Sequence, residues 1–99
     1  MVRHIVSWNF KPELDEAQRQ SIREAVVPAL LVLKGKIPCL RDIQAFCPPL
    51  DSSNCDLVLY SEVDQVSDLP LYQNHPEHQA VLPLIRNNFC DRRCCDIQT

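Results

Sequence analysis

Glycine is almost missing from this chain: among 99 residues only Gly35 is a glycine, so a helix end in left-handed geometry comes without strain at one place alone. Long apolar runs are missing too, and none approaches the length that crosses a bilayer. The start, Met1 to Phe10, lacks the basic-then-apolar architecture of a secretory signal. A basic excess is also absent. The net charge is −3 and the pI about 5.5, which argues against nucleic acid as a partner, since that needs a concentrated basic surface. The one basic doublet, Arg92-Arg93, is flanked by Asp91 and Asp96 and reads as a solvated strand end. These absences point to a cytoplasmic protein with no membrane contact.

Six cysteines, Cys39, Cys47, Cys55, Cys90, Cys94 and Cys95, stand against that background. Without a signal they are expected as reduced thiols that fill space as small apolar groups, rather than as a disulfide framework. No Cys-x-x-Cys pair occurs, so the zinc signature is weak and no metal is expected. Cys94 and Cys95 are adjacent, and on a strand they face opposite sides. Ninety-nine residues with a hydrophobic fraction of 45% make one domain, residues 1–99, with no room for a second core.

Val2 to Phe10 alternates as a strand, with His4, Val6, Trp8 and Phe10 on one face and Arg3, Ile5, Ser7 and Asn9 on the other. Asp15 and Gln18 are spaced as a capping box. Ile22, Ala25, Val26, Ala29, Leu30 and Leu33 follow at helical spacing, with Pro28 expected to kink or interrupt the helix and Gly35 to end it. Arg41 to Cys47 and Asp56 to Val63 read as further strands, separated by a Pro- and Asp/Ser/Asn-rich loop. Ser67 to Tyr72 reads as a short helix with Ser67 as its cap, and a second helix runs from Pro76 to about Asn88 despite Pro83. Asp91 to Gln98 closes the order as a strand. The order βαββαβ, its second helical region split in two, predicts a ferredoxin-like α+β sandwich: a four-stranded antiparallel sheet with helices on one face. Its other face, carrying Ile5, stays uncovered, and an apolar sheet face in that state predicts a homodimer.

The densest stretch chemically is Leu71-Tyr72-Gln73-Asn74-His75-Pro76-Glu77-His78. Proline is favoured at the first helical position, so Pro76 starts the helix and His78 lies in its first turn. The positive helix end disfavours imidazolium, while Glu77 works in the opposite direction. His78, Val81, Leu82, Ile85 and Phe89 form one apolar stripe, so His78 points at the sheet. His4 lies on the apolar face of its own strand, and the two imidazoles are therefore expected in one apolar cavity with the Tyr72 hydroxyl at its mouth. A neutral imidazole there can remove a proton next to a carbonyl while a phenol bonds the developing enolate oxygen. Such a cavity suits a small aromatic or β-dicarbonyl ligand. The residues leave a second reading open, in which His78 bonds a strand carbonyl, His4 is a satisfied core histidine and Tyr72 anchors the short helix. His75 reads as a cap. A zinc site on His75 and His78 with His4 or Cys90, and a redox role for Cys94-Cys95 beside the arginines, are weaker alternatives.

Four pieces in register resemble the stress-responsive dimeric α/β-barrel (Dabb) family. These are His4-Ile5-Val6, Leu33-Lys34-Gly35-Lys36-Ile37-Pro38, Asp56-Leu57-Val58-Leu59 ahead of Ser61-Glu62, and Tyr72-Gln73-Asn74-His75-Pro76-Glu77-His78. The resemblance spans essentially the whole chain. It implies two protomers packed sheet to sheet into a barrel with helices outside. Many members of that family have no assigned activity. Others resemble cofactor-free catalysts, including plant enzymes that close polyketide rings by aldol chemistry. In those, a strand-one His, the Tyr before the motif and the second His of His-Pro-x-His shape an acid–base pocket, and the matching positions here are His4, Tyr72 and His78. The chain departs from the pattern at Cys39, where glycine is frequent, and in its cysteine-rich close, Cys90 to Cys95. Neither departure touches the His/Tyr set. The expectation is a dimer with His78 as base, Tyr72 and His4 as polarising partners, no cofactor, and a small apolar carbonyl or polyketide-like ligand. The competing expectation is a non-catalytic stress-associated or interaction domain with a filled cavity.

Overall fold

Period-two patterning sets the first strand, β1, over Val2–Phe10 in a computed structural model that describes residues Met1–Thr99. Its even-numbered residues are buried and its odd ones outward or half-buried, so His4 shares the core face as the alternation predicts. The other elements are α1 (Glu16–Leu31), β2 (Asp42–Phe46), β3 (Leu57–Val63), α2 (Asp68–Gln73), α3 (Pro76–Asn88) and β4 (Phe89–Gln98). All four strands pair antiparallel in one sheet of order β2-β3-β1-β4, the ferredoxin-like arrangement. None of the helices is long and apolar enough to cross a membrane.

Local chemistry explains the helix limits. The Asp15 carboxylate accepts from the Gln18 backbone N–H at 2.8 Å, and the Gln18 side chain accepts from the Asp15 N–H at 2.9 Å, which is the reciprocal box read from the spacing. Ile22, Val26, Leu30 and Leu33 are buried against the sheet, whereas Ala25 is exposed. Pro28 does not interrupt α1, and Pro83 does not interrupt α3. Each proline is exposed, and so is the residue four before it, Glu24 or Gln79, whose carbonyl has lost its helical donor. Helix α1 ends at Leu31, and Gly35 (φ 98°) serves the turn beyond, where Lys36 and Ile37 N–H both donate to the Leu33 carbonyl. Ser67 occupies the cap position of α2 without a side-chain bond; the adjacent Asp68 carboxylate instead accepts from the Gln65 N–H at 3.3 Å.

The helices lie on one face of the sheet, over a core that includes Val6, Val26, Leu33, Ile37, Leu57, Leu59 and Tyr72. At one end Phe10 stacks on Phe89 at 4.8 Å between ring centres, with the Arg19 and Arg23 guanidinium groups over Phe10 at 5.2 and 5.3 Å. Strand β4 is one of the two outer strands, the other being β2, and is exposed from Asp91 onward. Its pairing with β1 shifts between Ser7 and Asn9, where Asp91 takes φ 56° and bonds the Asn9 side chain at 3.3 Å. Beyond the shift Cys94 lies opposite Val6 and Asp96 opposite His4, on the helix side, while Cys95 lies opposite Ile5 on the other. Cys94 and Cys95 thus face opposite ways, as adjacent strand residues must. All six cysteines are free thiols.

Replacing Asp15 by alanine removes one half of the reciprocal cap and is expected to lower the unfolding free energy by about 1 kcal/mol in urea titration, whereas Gln20→Ala on the exposed face of α1 should stay within about 0.5 kcal/mol of wild type.

Candidate functional site

Across β2, β3 and β1 the buried residues of the core face are apolar except along a single row. Pairing aligns Ile43, Ser61, His4 and Asp96 across β2, β3, β1 and β4, and His4 and Ser61 are the buried polar residues of the chain. Buried polar groups need partners, and this row supplies them internally. Ser61 Oγ lies 3.4 Å from the Tyr72 hydroxyl and 3.4 Å from the His4 carbonyl. On the other side, His4 Nδ1–H donates to Asp96 Oδ1 at 2.5 Å, and Cys94 Sγ lies 3.7 Å from the same nitrogen. The bond to a carboxylate keeps the proton of the neutral ring on Nδ1 and leaves the Nε2 lone pair free.

Helix α3 delivers the second imidazole. Pro76 is at its first turn and the His75 ring caps it, Nδ1 accepting from the Glu77 N–H at 3.1 Å, so His75 is structural as its position suggested. His78 comes next on the inward side, its ring edge-on to Tyr72 with centres 4.9 Å apart; Tyr72 in turn is edge-on to His4 at 6.0 Å. The His78 Nδ1 is buried and has no hydrogen-bond partner in the chain. The reading in which His78 locks the helix start to a strand carbonyl through that nitrogen therefore has no bond to support it. Burial, reinforced by the positive charge of Arg92 and by His4 whenever that ring is protonated, holds the His78 pKa below its ordinary 6.5, so the ring is neutral at pH 7. The sequence had pointed to the same neutral form through the helix end; burial is the larger cause.

His4 and His78 share a cavity of about 300 Å³ between α3 and the sheet. Val6, Trp8, Leu30, Leu59, Val81, Leu82 and Ile85 supply its apolar wall, and Gln73, Asn74, Gln79, Arg86 and Arg92 its polar rim. The cavity is within the size range of small-molecule sites. Tyr72 is not part of its lining. The expectation of a Tyr72 hydroxyl at the mouth is overturned: the side chain is fully buried beneath the two imidazoles, and burial raises the phenol pKa. The cause is the inward stripe of α2, where Tyr72 is the one buried residue. Arg92, read as a solvated strand end, remains exposed but reaches the cavity from the helix side of β4, whereas Arg93 faces the other way.

Asp96 is the residue the sequence did not disclose. Its partner His4 is 92 positions away, and only the β1–β4 register reveals that they are opposite. The alternation Arg92, Cys94, Asp96 was a signal that these three share a face, though not which face. The zinc set of His75 and His78 with His4 or Cys90 is not assembled, because the His75 nitrogen is engaged in the cap and Cys90 contacts the Phe10 carbonyl and Asp91.

With the fold and cavity in place, comparison with known proteins defines the class. The chain belongs to the stress responsive A/B barrel domain family, which matches residues 2–99. Among solved structures it is similar to a dimeric ferredoxin-like protein of unknown function from Bacteroides fragilis, with 26% identity, a TM-score of 0.91, and coverage of 99% of this chain and 95% of that one. A dimeric ferredoxin-like protein of unknown function from Thermobifida fusca follows at 25% identity and TM-score 0.82, covering 99% and 90%. An antibiotic biosynthesis monooxygenase at 16% identity and TM-score 0.72, covering 100% and 98%, shares the fold. No curated protein matches the chain by sequence.

Because the folded ring resists protonation, an NMR titration should place the His78 midpoint below 6.5. Below pH 6.5 the unfolded chain takes up a proton at this position before the folded one does, so His78 lowers stability as pH falls from 6.5 toward its folded midpoint. His78→Gln is expected to flatten that part of the stability–pH curve; an unchanged curve would show that the ring is not shielded.

Proposed function

We propose that this protein is a homodimer that takes a small, largely apolar carbonyl compound into the cavity and performs acid–base chemistry on it without a cofactor. The observation that carries the reading is the pair of imidazoles lining one mostly apolar cavity, one of them kept neutral by burial. A ligand hydrogen that meets the His78 ring from the cavity side finds a neutral base and is positioned for removal. His78 is assigned as the base. His4, its Nδ1 proton held by Asp96, offers Nε2 to a ligand hydroxyl or an enol proton. Tyr72 keeps the two rings apart and in register from below; its hydroxyl polarises the ligand only if α2 moves, so its assigned part is positioning.

The assembly follows from the opposite face of the sheet. That face carries Ile5, Val58 and Tyr60, each half-buried, together with Phe46 and Ile97, which are 47% and 40% exposed. The two relatives near one quarter identical are dimeric. Sheet-to-sheet packing of two copies removes this apolar surface from water and leaves the cavities, on the helix side, open.

Two measurements test the parts separately. Deuterium exchange at the carbon next to the carbonyl of phenylacetone, followed by NMR in D2O, is expected to be accelerated by the protein and to fall by about 10²–10⁴-fold in His78→Ala while the circular dichroism stays that of wild type. Equal exchange by the two proteins, or loss only through unfolding, would defeat the catalytic reading and favour the non-catalytic stress-associated role. In analytical ultracentrifugation the wild type should sediment as a dimer and Ile5→Asp as a monomer; a monomeric wild type would remove the dimer.

A further inference from the structure

Three donors of different chemistry converge on the β1–β4 edge of the cavity. His4 Nδ1, Cys94 Sγ and Asp96 Oδ1 all lie within 4.8 Å of one another, at 2.5 Å for nitrogen to oxygen, 3.7 Å for sulfur to nitrogen and 3.8 Å for sulfur to oxygen. A ring nitrogen has one proton or one lone pair to share, so Nδ1 satisfies the carboxylate or the thiol, never both. Without an ion, Nδ1–H and the Cys94 S–H both converge on the one oxygen Asp96 Oδ1, and the same three atoms are close enough together for a cation to take the place of those two protons.

We propose that His4, Cys94 and Asp96 form a binding site for a borderline-soft divalent cation, zinc by chemistry of the donors, and that loading reverses the tautomer of His4. The nitrogen, thiolate and carboxylate set is typical of zinc, and three protein ligands leave the fourth position to water or a bound ligand. Tetrahedral bonds of about 2.3 Å to sulfur and about 2.0–2.1 Å to nitrogen and oxygen put sulfur about 3.5 Å from each of the other two donors, near the distances found, and nitrogen about 3.3 Å from oxygen. The last pair must open from its present hydrogen bond, and Asp96, with an exposed side chain on an outer strand, has the freedom to do so. One thiolate and one carboxylate neutralise the cation, which suits a site whose histidine is almost fully buried.

The proton balance is explicit. Binding forms metal–sulfur, metal–nitrogen and metal–oxygen bonds, breaks the Cys94 S–H bond with release of that proton to solvent, and moves the ring proton of His4 from Nδ1 to Nε2. Free, His4 presents an acceptor at Nε2; loaded, it presents a donor. A cation therefore changes what the cavity can bond without entering it. Dimerisation through the Ile5 face leaves the site accessible, because Cys94 and Asp96 are on the helix side of β4 and Cys95 on the other. The site shares His4 with the acid–base reading, which describes the chain without the ion, but does not require that reading.

Cobalt(II) and zinc(II), added one at a time to the chelator-treated full chain under reducing conditions, are the probes. Expected are one equivalent of zinc per chain by native mass spectrometry, a sulfur-to-cobalt charge-transfer band in the near ultraviolet, and affinity lowered by at least about tenfold in both Cys94→Ser and Asp96→Asn. Cys95→Ser, altered on the opposite face, should bind as wild type does and serves as the folding and thiol control. Long-range nitrogen–proton NMR should move the protonated nitrogen of His4 from Nδ1 to Nε2 on adding zinc. Absence of stoichiometric uptake, a cobalt spectrum without the sulfur band, uptake undiminished in Cys94→Ser, or an unmoved tautomer would each overturn the proposal. Since every readout is binding or spectroscopy, its failure leaves the phenylacetone result untouched, and the reverse also holds.

Discussion

A hydrogen bond between an almost fully buried imidazole and a carboxylate on an exposed strand is the contact on which the cavity depends. His4 is in the middle of the sheet, 2% exposed, where an unpartnered imidazole would carry a desolvation penalty of a few kcal/mol. Asp96 meets it from β4, and Ser61 lies beside it on β3. That row lets a polar ring sit inside an apolar face. It also fixes which nitrogen bears the proton and orients the ring on the cavity wall.

The rest of the molecule is arranged around that row. Leu59 and Val6 on one side, and Val2 and Val63 on the other, continue the core face in register and keep the row flat between two apolar ones. Tyr72 packs under both imidazoles from α2, so the short helix acts as a spacer between the sheet and α3. The break between α2 and α3, set by His75 as cap and Pro76 as first residue, directs His78 inward one turn later. Covering the sheet this way leaves β4 without a helix over most of its length, so the cavity is bounded by exposed side chains such as Arg92 on that side. The cation proposed at His4, Cys94 and Asp96 would act at this same thin edge, where one wall of the cavity is also the surface of the protein.

The two histidines illustrate how one residue type takes different parts by environment. His4 has a strong charged partner and a defined tautomer. His78 has burial without a partner, which keeps it neutral and leaves its ring nitrogen unsatisfied. His75, on the surface side of the same turn, spends its nitrogen on a helix cap. In the proposed reading the His4 and His78 rings share one mostly apolar cavity, one with a fixed tautomer and one kept neutral as the base.

What the sequence determined by itself is local. The alternation in Val2–Phe10 placed His4 on the core side, the Asp15–Gln18 spacing encoded a cap that forms as written, and Pro76 fixed the start of α3 and so the inward aim of His78. The element order limited the sheet to one arrangement, since each follows from neighbouring residues and backbone geometry. Tertiary structure decided the rest. Tyr72 was legible as a neighbour of the motif, but its depth depends on how α2 docks, and docking buries it. Asp96 and Cys94 were legible as members of one strand face, but pairing across ninety residues, through a register shift at Ser7–Asn9, chose His4 as their partner. A one-residue slip would have turned both away, and no local signal carries that information, because register is settled by the summed packing of the whole sheet.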